Sequence, residues 1–253
     1  MFGKQPLLVQ HIMSNDTAVI TEIFPSIQGE GLYVGDLHFF VRFANCNLNC
    51  YYCDTKESFK ESENFIFQGF SGVKKIYNNP INTKDFLEIF ENYSNETISL
   101  TGGEPLLQTD FLKKILPDLK KNGHIIYLET NGTLANELDE IIEYVDIVSM
   151  DYKLDYTIQN KLNSHELHEK FYKIASQKEV FVKMVVDSMT IISDVEKCAE
   201  MISEIEKNYL ILQPATGTIN TPAEEHLIAL FMTASEYLPT KLIPQCHKYM
   251  SMK

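Results

Sequence analysis

The chain has 253 residues, 44% of them hydrophobic and 23% charged, enough to build a sizeable core without disulfide support. Its net charge of −13, from 35 acidic and 22 basic residues, excludes the broad basic face that grips nucleic-acid phosphates. No apolar run approaches the roughly 20 residues of a membrane span. The short apolar run after Lys4 is too brief for a signal peptide, so a cytoplasmic protein with reduced cysteines is expected.

Residues 1–16 carry no clear period and read as a loose N-terminal extension of a single domain. Residues 17–24 are β-rich and predict a strand. It runs into Pro25-Ser26-Ile27-Gln28-Gly29-Glu30-Gly31, where two glycines flanking Glu30 permit close backbone approach to a ligand. A plain turn has the same signature. Residues 38–43 (HFFVRF) are nearly continuous in apolar residues, as in a strand covered on both faces, and Arg42 interrupts them.

Cys46, Cys50 and Cys53 follow at the spacing C-x3-C-x2-C; the remaining cysteines are Cys198 and Cys246. Three thiolates on one loop suit a four-iron cluster, one thiolate per iron, and leave one iron open to bind and activate something. Structural zinc prefers four ligands, and a fourth here would have to come from a distant His or Cys. On spacing alone, zinc or plain buried cysteines stay open beside the cluster.

Residues 56–81 are polar and aromatic, with Gly69, Gly72 and Pro80, and read as an irregular insertion. A regular alternation comes next. Helices are expected over residues 84–93, 106–121, 134–144, 164–177, 193–207 and 222–237. Strands are expected over residues 97–101, 124–129, 145–150, 180–186 and 209–212, with a short final strand at 241–243. About six β–α units of this kind imply an α/β fold with a parallel sheet, barrel-like or doubly wound. The polar and glycine-rich motifs collect after strands: the cysteine loop, GGEP (102–105), ETNG (129–132), SMDYK (149–153) and QPATG (213–217). In such sheets the chemistry sits at the C-terminal edge of the strands.

C-x3-C-x2-C after one strand and GGEP after the next resemble the radical S-adenosylmethionine superfamily, from about residue 17 to the end of the chain. The resemblance implies a partial (β/α)6 TIM-like barrel, a [4Fe-4S] cluster on Cys46, Cys50 and Cys53, and S-adenosylmethionine on the open iron. One electron would then split the cofactor's carbon–sulfur bond to a 5′-deoxyadenosyl radical; the protein orients and shields that chemistry. Gly103, with its neighbours Gly102 and Glu104, would meet the methionine ammonium. Lys153 would neutralise the methionine carboxylate, helped by Ser149 and Asp151. Tyr52, Cys53, Asp54 and Gln213 would lie near adenine or ribose.

A narrower resemblance is carried by IFPSIQGEG, FVRFANCNLNCYYCDT, TGGEP, LETNGT and IPQCHK, which are similar to the 7-carboxy-7-deazaguanine synthase family. It implies conversion of 6-carboxy-5,6,7,8-tetrahydropterin with loss of ammonia, on the route to queuosine and other deazapurines used in tRNA modification. Carried over position by position, Ile27, Gln28 and Gly29 match a pterin-binding turn, Arg42 a carboxylate-binding arginine, and Thr101 a substrate contact. Thr55 matches a Mg2+ contact, and a hydroxyl oxygen is the hard ligand that ion takes. Glu30 and Glu129 are further polar contacts. The resemblance also implies a homodimer and an electron donor such as flavodoxin or ferredoxin, with no direct contact to nucleic acid or membrane. Asp151-Tyr152 stands where many members have Ser-Pro.

Cys198, on an expected helix, reads as a buried small residue, and Cys246 as core or site-adjacent. His165 and His168, one helical turn apart, read as a solvated face more readily than as a metal pair, and His247 as a residue beside the substrate. Two other functions compete. An activating enzyme that places a radical on a protein partner shares the cysteine and GGEP motifs, but not SIQGEG or Arg42. A zinc- or cluster-stabilised binding module shares only the cysteines.

Overall fold

A computed structural model of the chain describes residues 16–159, 163–205, 208–215 and 220–252. The expected loose extension falls almost wholly on residues 1–15, outside that set. Two short strands, β1 (Thr17–Ala18) and the longer β2 (Ile20–Ile27), replace the one expected strand. The apolar run with Arg42 is β3 (Leu37–Phe43), which lies antiparallel to β2. Phe39, Val41 and Phe43 are fully buried, so the run is covered as its composition requires.

Residues 56–81 differ from the expected irregular insertion. They contain a hairpin, β4 (Asn64–Gln68) and β5 (Lys74–Asn78), which adds two strands beside β2. Its alternation is real: Phe65 and Phe67 point into the core while Ile66 stands 46% exposed between them. An isoleucine on the outer face hides the period from a reading based on polarity. Gly72, in the left-handed region at φ +78°, makes the turn, and Gly69 accepts its amide.

The strand β6 (Ile81–Asn82) pairs with β1, and Asn82 caps α1 (Thr83–Phe90) by accepting the Asp85 amide at 2.9 Å. The units then follow as expected: β7 (Thr97–Gly102), α2 (Thr109–Lys121), β8 (Ile125–Thr130), α3 (Ala135–Asp139), β9 (Ile147–Asp151) and α4 (Ser164–Ala175). They continue with β10 (Glu179–Val186), α5 (Ile192–Ser203), β11 (Leu210–Pro214), α6 (Glu224–Ser235) and β12 (Thr240–Leu242). One correction falls on α3. The helix expected over 134–144 is five residues long and gives way to a separate 3-10 turn at Ile142–Tyr144. A last short helix, α7 (Cys246–Tyr249), follows β12.

Among the described residues the main sheet has ten strands, in the order β12-β11-β10-β9-β8-β7-β3-β2-β4-β5. From β3 through β12 every neighbouring pair is parallel. These strands and their helices form the expected six β–α units plus a closing strand. One face of the sheet carries the main core, which includes Leu100, Leu128, Val148, Val182 and Leu210, and the alternate residues Tyr127, Ile147, Phe181 and Ile211 form a separate smaller cluster on the other face. Because all these strands run one way, the described residues that follow β3, β7, β8, β9, β10 and β11 meet at one edge; Thr216 and Gly217 of the QPATG motif lie outside the described residues. The segment after β12 crosses that edge: the Cys246 amide donates to the Gly29 carbonyl at 2.8 Å, at the end of β2.

Candidate active site

The C-terminal edge encloses a cavity of about 550 Å3, within the range of small-molecule sites. The site residues singled out from the sequence, Glu104 excepted, line it: Ile27, Gln28 and Gly29; Arg42; Cys46, Cys50, Tyr52, Cys53, Asp54 and Thr55; Thr101, Gly102 and Gly103; Ser149, Asp151 and Lys153; and Gln213. Glu30, Glu129 and His247 line it too.

The cysteine loop is held from both sides. Tyr51 donates its amide to Thr157 O at 3.0 Å, Gln159 donates to Asn49 O at 3.2 Å, and Cys50 bridges to Ile158. Glu104 donates its amide to Asn45 O at 2.8 Å, which docks GGEP against the start of the loop. Gly103 is required for that docking, since a Cβ there would lie 1.7 Å from Asn45 O. The three cysteines are free thiols packed with Leu48, Tyr52 and Ile158. Burial pushes the Cys46 thiol up to about 11 and raises Cys50 as well.

The donor set suits the expected cluster. The Leu48 amide stands 3.4 Å from Cys46 Sγ and Asn131 Nδ2 3.8 Å from it, donors of the kind that stabilise a cluster thiolate. Among the described residues no three His, Cys, Asp or Glu side chains stand close enough to share one metal ion. A cube does not need that, because each thiolate takes a separate iron. Asp151 Oδ1 and Gln213 Oε1 are buried and find no partner among the described residues. Both line the cavity, and a ligand carrying amine and hydroxyl donors would satisfy them.

Three expected substrate contacts share one network. Gln28 Nε2 donates to Glu129 Oε1 at 2.8 Å, and Thr101 Oγ1 donates to Glu129 Oε2 at 2.6 Å. Arg42 is less free than expected. Its Nε donates to Glu22 Oε1 at 3.0 Å, and its guanidinium lies 5.8 Å from the centre of the Phe24 ring. No acceptor among the described residues takes its two terminal nitrogens. Lys153 likewise has a partner already, Asp151 Oδ2 at 2.8 Å, and lies 5.1 Å over the Tyr52 ring.

Glu104 departs from expectation. Its carboxylate is fully buried and off the cavity wall. It accepts from Thr130 Oγ1 at 2.8 Å, Asn131 N at 2.8 Å and Leu106 N at 3.2 Å, so it ties GGEP to ETNG. Burial pushes its carboxyl up to about 7 against those three donors. His168 is also corrected: it is fully buried, not solvated, and Nε2 donates to Asn131 O at 3.0 Å. His165 pairs with the Tyr152 hydroxyl at 2.8 Å, so the two histidines do not form a metal pair. Cys198 is buried in α5 as expected. Cys246 is half-buried in the closing segment and off the cavity wall.

Sequence reasoning missed Lys183 and Gln245. Lys183 is the one charge within residues 180–186, the same signal that singled out Arg42. It pairs with Glu30 and, at 3.3 Å, with Asp151. Gln245 donates to Glu30 Oε1 at 2.7 Å and Asp54 Oδ2 at 3.0 Å, linking the closing segment to the turn after β2 and to the cysteine loop.

The profile of the Radical SAM superfamily matches residues 40–205. A 7-carboxy-7-deazaguanine synthase of Geobacter sulfurreducens is 34% identical over 251 residues, covering 94% of this chain and 99% of that protein. One from Methanocaldococcus jannaschii is 37% identical, covering 92% and 100%. The crystal structure of QueE from Escherichia coli superimposes with a TM-score of 0.59 at 20% identity, over 91% of this chain and 95% of the other, a likeness of fold. The chain belongs to the radical SAM superfamily, whose members hold a [4Fe-4S] cluster and S-adenosylmethionine, and within it to the 7-carboxy-7-deazaguanine synthase family.

Proposed function

We propose that this chain is a lyase that converts 6-carboxy-5,6,7,8-tetrahydropterin to 7-carboxy-7-deazaguanine with loss of ammonia. The observation that carries the reading is the cavity wall: Arg42, Gln28, Thr101 and Glu129 stand in one space with the three cysteines. Cys46, Cys50 and Cys53 would hold the cluster. When bound, the cluster and S-adenosylmethionine would supply one-electron radical chemistry.

The chain's own residues bind and orient. The terminal nitrogens of Arg42 take the substrate carboxylate as a two-pronged pair. Glu129, fixed by Gln28 and Thr101, offers its remaining lone pairs to N–H donors of the ring. Lys153 would take the methionine carboxylate, and Asp151 Oδ1 and Gln213 Oε1, both buried without a partner among the described residues, would accept from the cofactor's donors. Ile27, Gly29, Tyr52, Asp54, Gly103 and Ser149 complete the walls. Thr55, whose hydroxyl lies 3.7 Å from Cys53 Sγ, would contribute an oxygen to Mg2+.

The same reading gives a homodimer in the cytoplasm, reduced by flavodoxin or ferredoxin, without direct contact to nucleic acid. Among the described residues no helix is long and apolar enough to cross a membrane. An activating enzyme needs an open edge for a protein partner; here Gln245, His247 and Lys248 stand on the cavity wall. The test is anaerobic incubation of reconstituted protein with S-adenosylmethionine, reductant, Mg2+ and the carboxy-tetrahydropterin. Formation of 7-carboxy-7-deazaguanine and ammonia is expected. Cleavage of S-adenosylmethionine that the pterin leaves unchanged would remove the proposal.

A further inference from the structure

Four charges stand in alternating sign along the cavity wall. Lys153 pairs with Asp151 Oδ2 at 2.8 Å, the same oxygen meets Lys183 at 3.3 Å, and Lys183 pairs with Glu30. Strand register builds this chain. Lys183 and Asp151 are direct partners across β10 and β9, so their side chains share a face. Glu30 reaches the same lysine from the turn after β2. All of these side chains are mostly buried: Lys183 is 13% exposed, Asp151 17% and Glu30 21%.

The charges are mutually satisfied only as a set. Burial opposes ionisation of Glu30 and of Asp151, yet both carboxyls lie below their usual range because the lysines outweigh it. At low local dielectric, a change of partner at one end is felt at the other. A carboxylate arriving at Lys153 competes with Asp151 for that ammonium. Asp151 then leans on Lys183, Lys183 relaxes its hold on Glu30, and Glu30 becomes a better acceptor for a ligand on its own side. Gln245 keeps Glu30 Oε1 in place at 2.7 Å while this happens.

On the reading given under Proposed function Lys153 faces the cofactor, and Glu30, which lines the cavity directly after the pterin-binding turn Ile27-Gln28-Gly29, faces the pterin. We infer that Lys183 is a positioning residue that couples the two halves of the cavity, so that cofactor and substrate each tighten the binding of the other. Coupling of this kind is reciprocal and amounts to roughly 5- to 150-fold in affinity.

The test measures S-adenosylmethionine affinity by anaerobic equilibrium dialysis, with the cluster oxidised and no reductant, so that nothing turns over. Each variant is measured with and without saturating carboxy-tetrahydropterin. In the unmodified protein the pterin tightens cofactor binding at least about fivefold. In Lys183→Met that ratio falls to near one, while Lys183→Arg, which can still bridge both carboxylates, keeps most of it. A merely structural role would weaken both measurements and leave their ratio alone. If Lys183→Met does not fold or hold iron, Glu30→Gln carries the test, because it breaks the chain one link further on and leaves Lys183 with Asp151. A ratio of one in the unmodified protein, or an unchanged ratio in the variant that folds, overturns the inference. Pterin turnover by the unmodified protein is the control: if it is absent, the functional reading fails; if it is present with an unchanged ratio, only the coupling fails.

Discussion

Replacement of Arg42 by Ala is the sharpest probe of the substrate assignment. The side chain is 18% exposed, its Nε is taken by Glu22 at 3.0 Å, and its ring contact is with Phe24. Truncation therefore has two effects of different size. It removes the ion pair with the partly exposed Glu22, which costs on the order of 1 kcal/mol of stability. It also removes the two terminal nitrogens that a substrate carboxylate would engage, and losing one partner of a desolvated charge pair costs about 2–5 kcal/mol of binding. At about 1.4 kcal/mol per tenfold, that is a loss of about 30-fold to 4,000-fold in pterin affinity. Glu22→Gln separates the two effects, because it keeps an oxygen for Arg42 Nε and removes only the charge. Pterin affinity in that variant should change less than about tenfold, while Arg42→Lys recovers only part of the loss, since lysine lacks the planar fork. The assay is pterin affinity and turnover beside iron content, which should stay normal throughout. An Arg42→Ala protein with normal pterin affinity refutes the reasoning. So does an equal loss in Glu22→Gln, which would make the arginine a structural partner and nothing more.

Cys46→Ala, Cys50→Ala or Cys53→Ala should each abolish turnover and lower bound iron after reconstitution, since two thiolates hold a cube poorly. Cys198→Ala should turn over normally while losing about 1 kcal/mol in denaturant unfolding, as a small buried group is removed from α5. Thr55→Ala should raise the Mg2+ concentration for half-maximal rate with cofactor binding nearly intact; an unchanged Mg2+ dependence takes Thr55 out of the metal site. The pH dependence of stability has a defined sign. Burial holds His38 and His168 down to about 4, below the unfolded value near 6.5, so the unfolded chain binds more protons in that window. Their contribution is complete above about pH 6.5 and is lost as pH falls toward 4, up to roughly 3 kcal/mol for each. His38→Gln should flatten the stability curve by about that amount between these limits, measured as the difference from the unmodified protein.

The frame of the fold was legible because each β–α unit carries its own period and its own polar loop. Residues 124–132 read as a strand into ETNG, and β8 ends at Thr130. The hairpin β4–β5 was not legible because Ile66 and Ile76 are a directly opposed cross-strand pair on an exposed face, which blurs the alternation. In the site, residue types were readable and partners were not. Nothing near Arg42 in sequence names Glu22 as its partner, since strand register makes that pair. Glu104 lies in a motif that invites a ligand role, yet its three donors come from the start of its own turn and from the end of β8, which only packing brings near. Lys183 could have been found by the rule already applied to Arg42, a lone charge inside an apolar strand that ends at the active edge.

The contact between Cys246 and Gly29 has a consequence for the order in which the protein becomes an enzyme. It closes one of the longest loops in the chain, and long-range closures form late and are slow to gain their reward. Every barrel strand and the whole cysteine loop precede residues 243–252 on the ribosome. Until that segment crosses over, Asp54 lacks Gln245 and Lys248, and Glu30 lacks Gln245. The wall that Gln245 and Lys248 add to the cavity is therefore the last part of the site to be made, and a chain cut short before residue 243 would keep Cys46, Cys50, Cys53 and every described strand while leaving Glu30 and Asp54 without those partners.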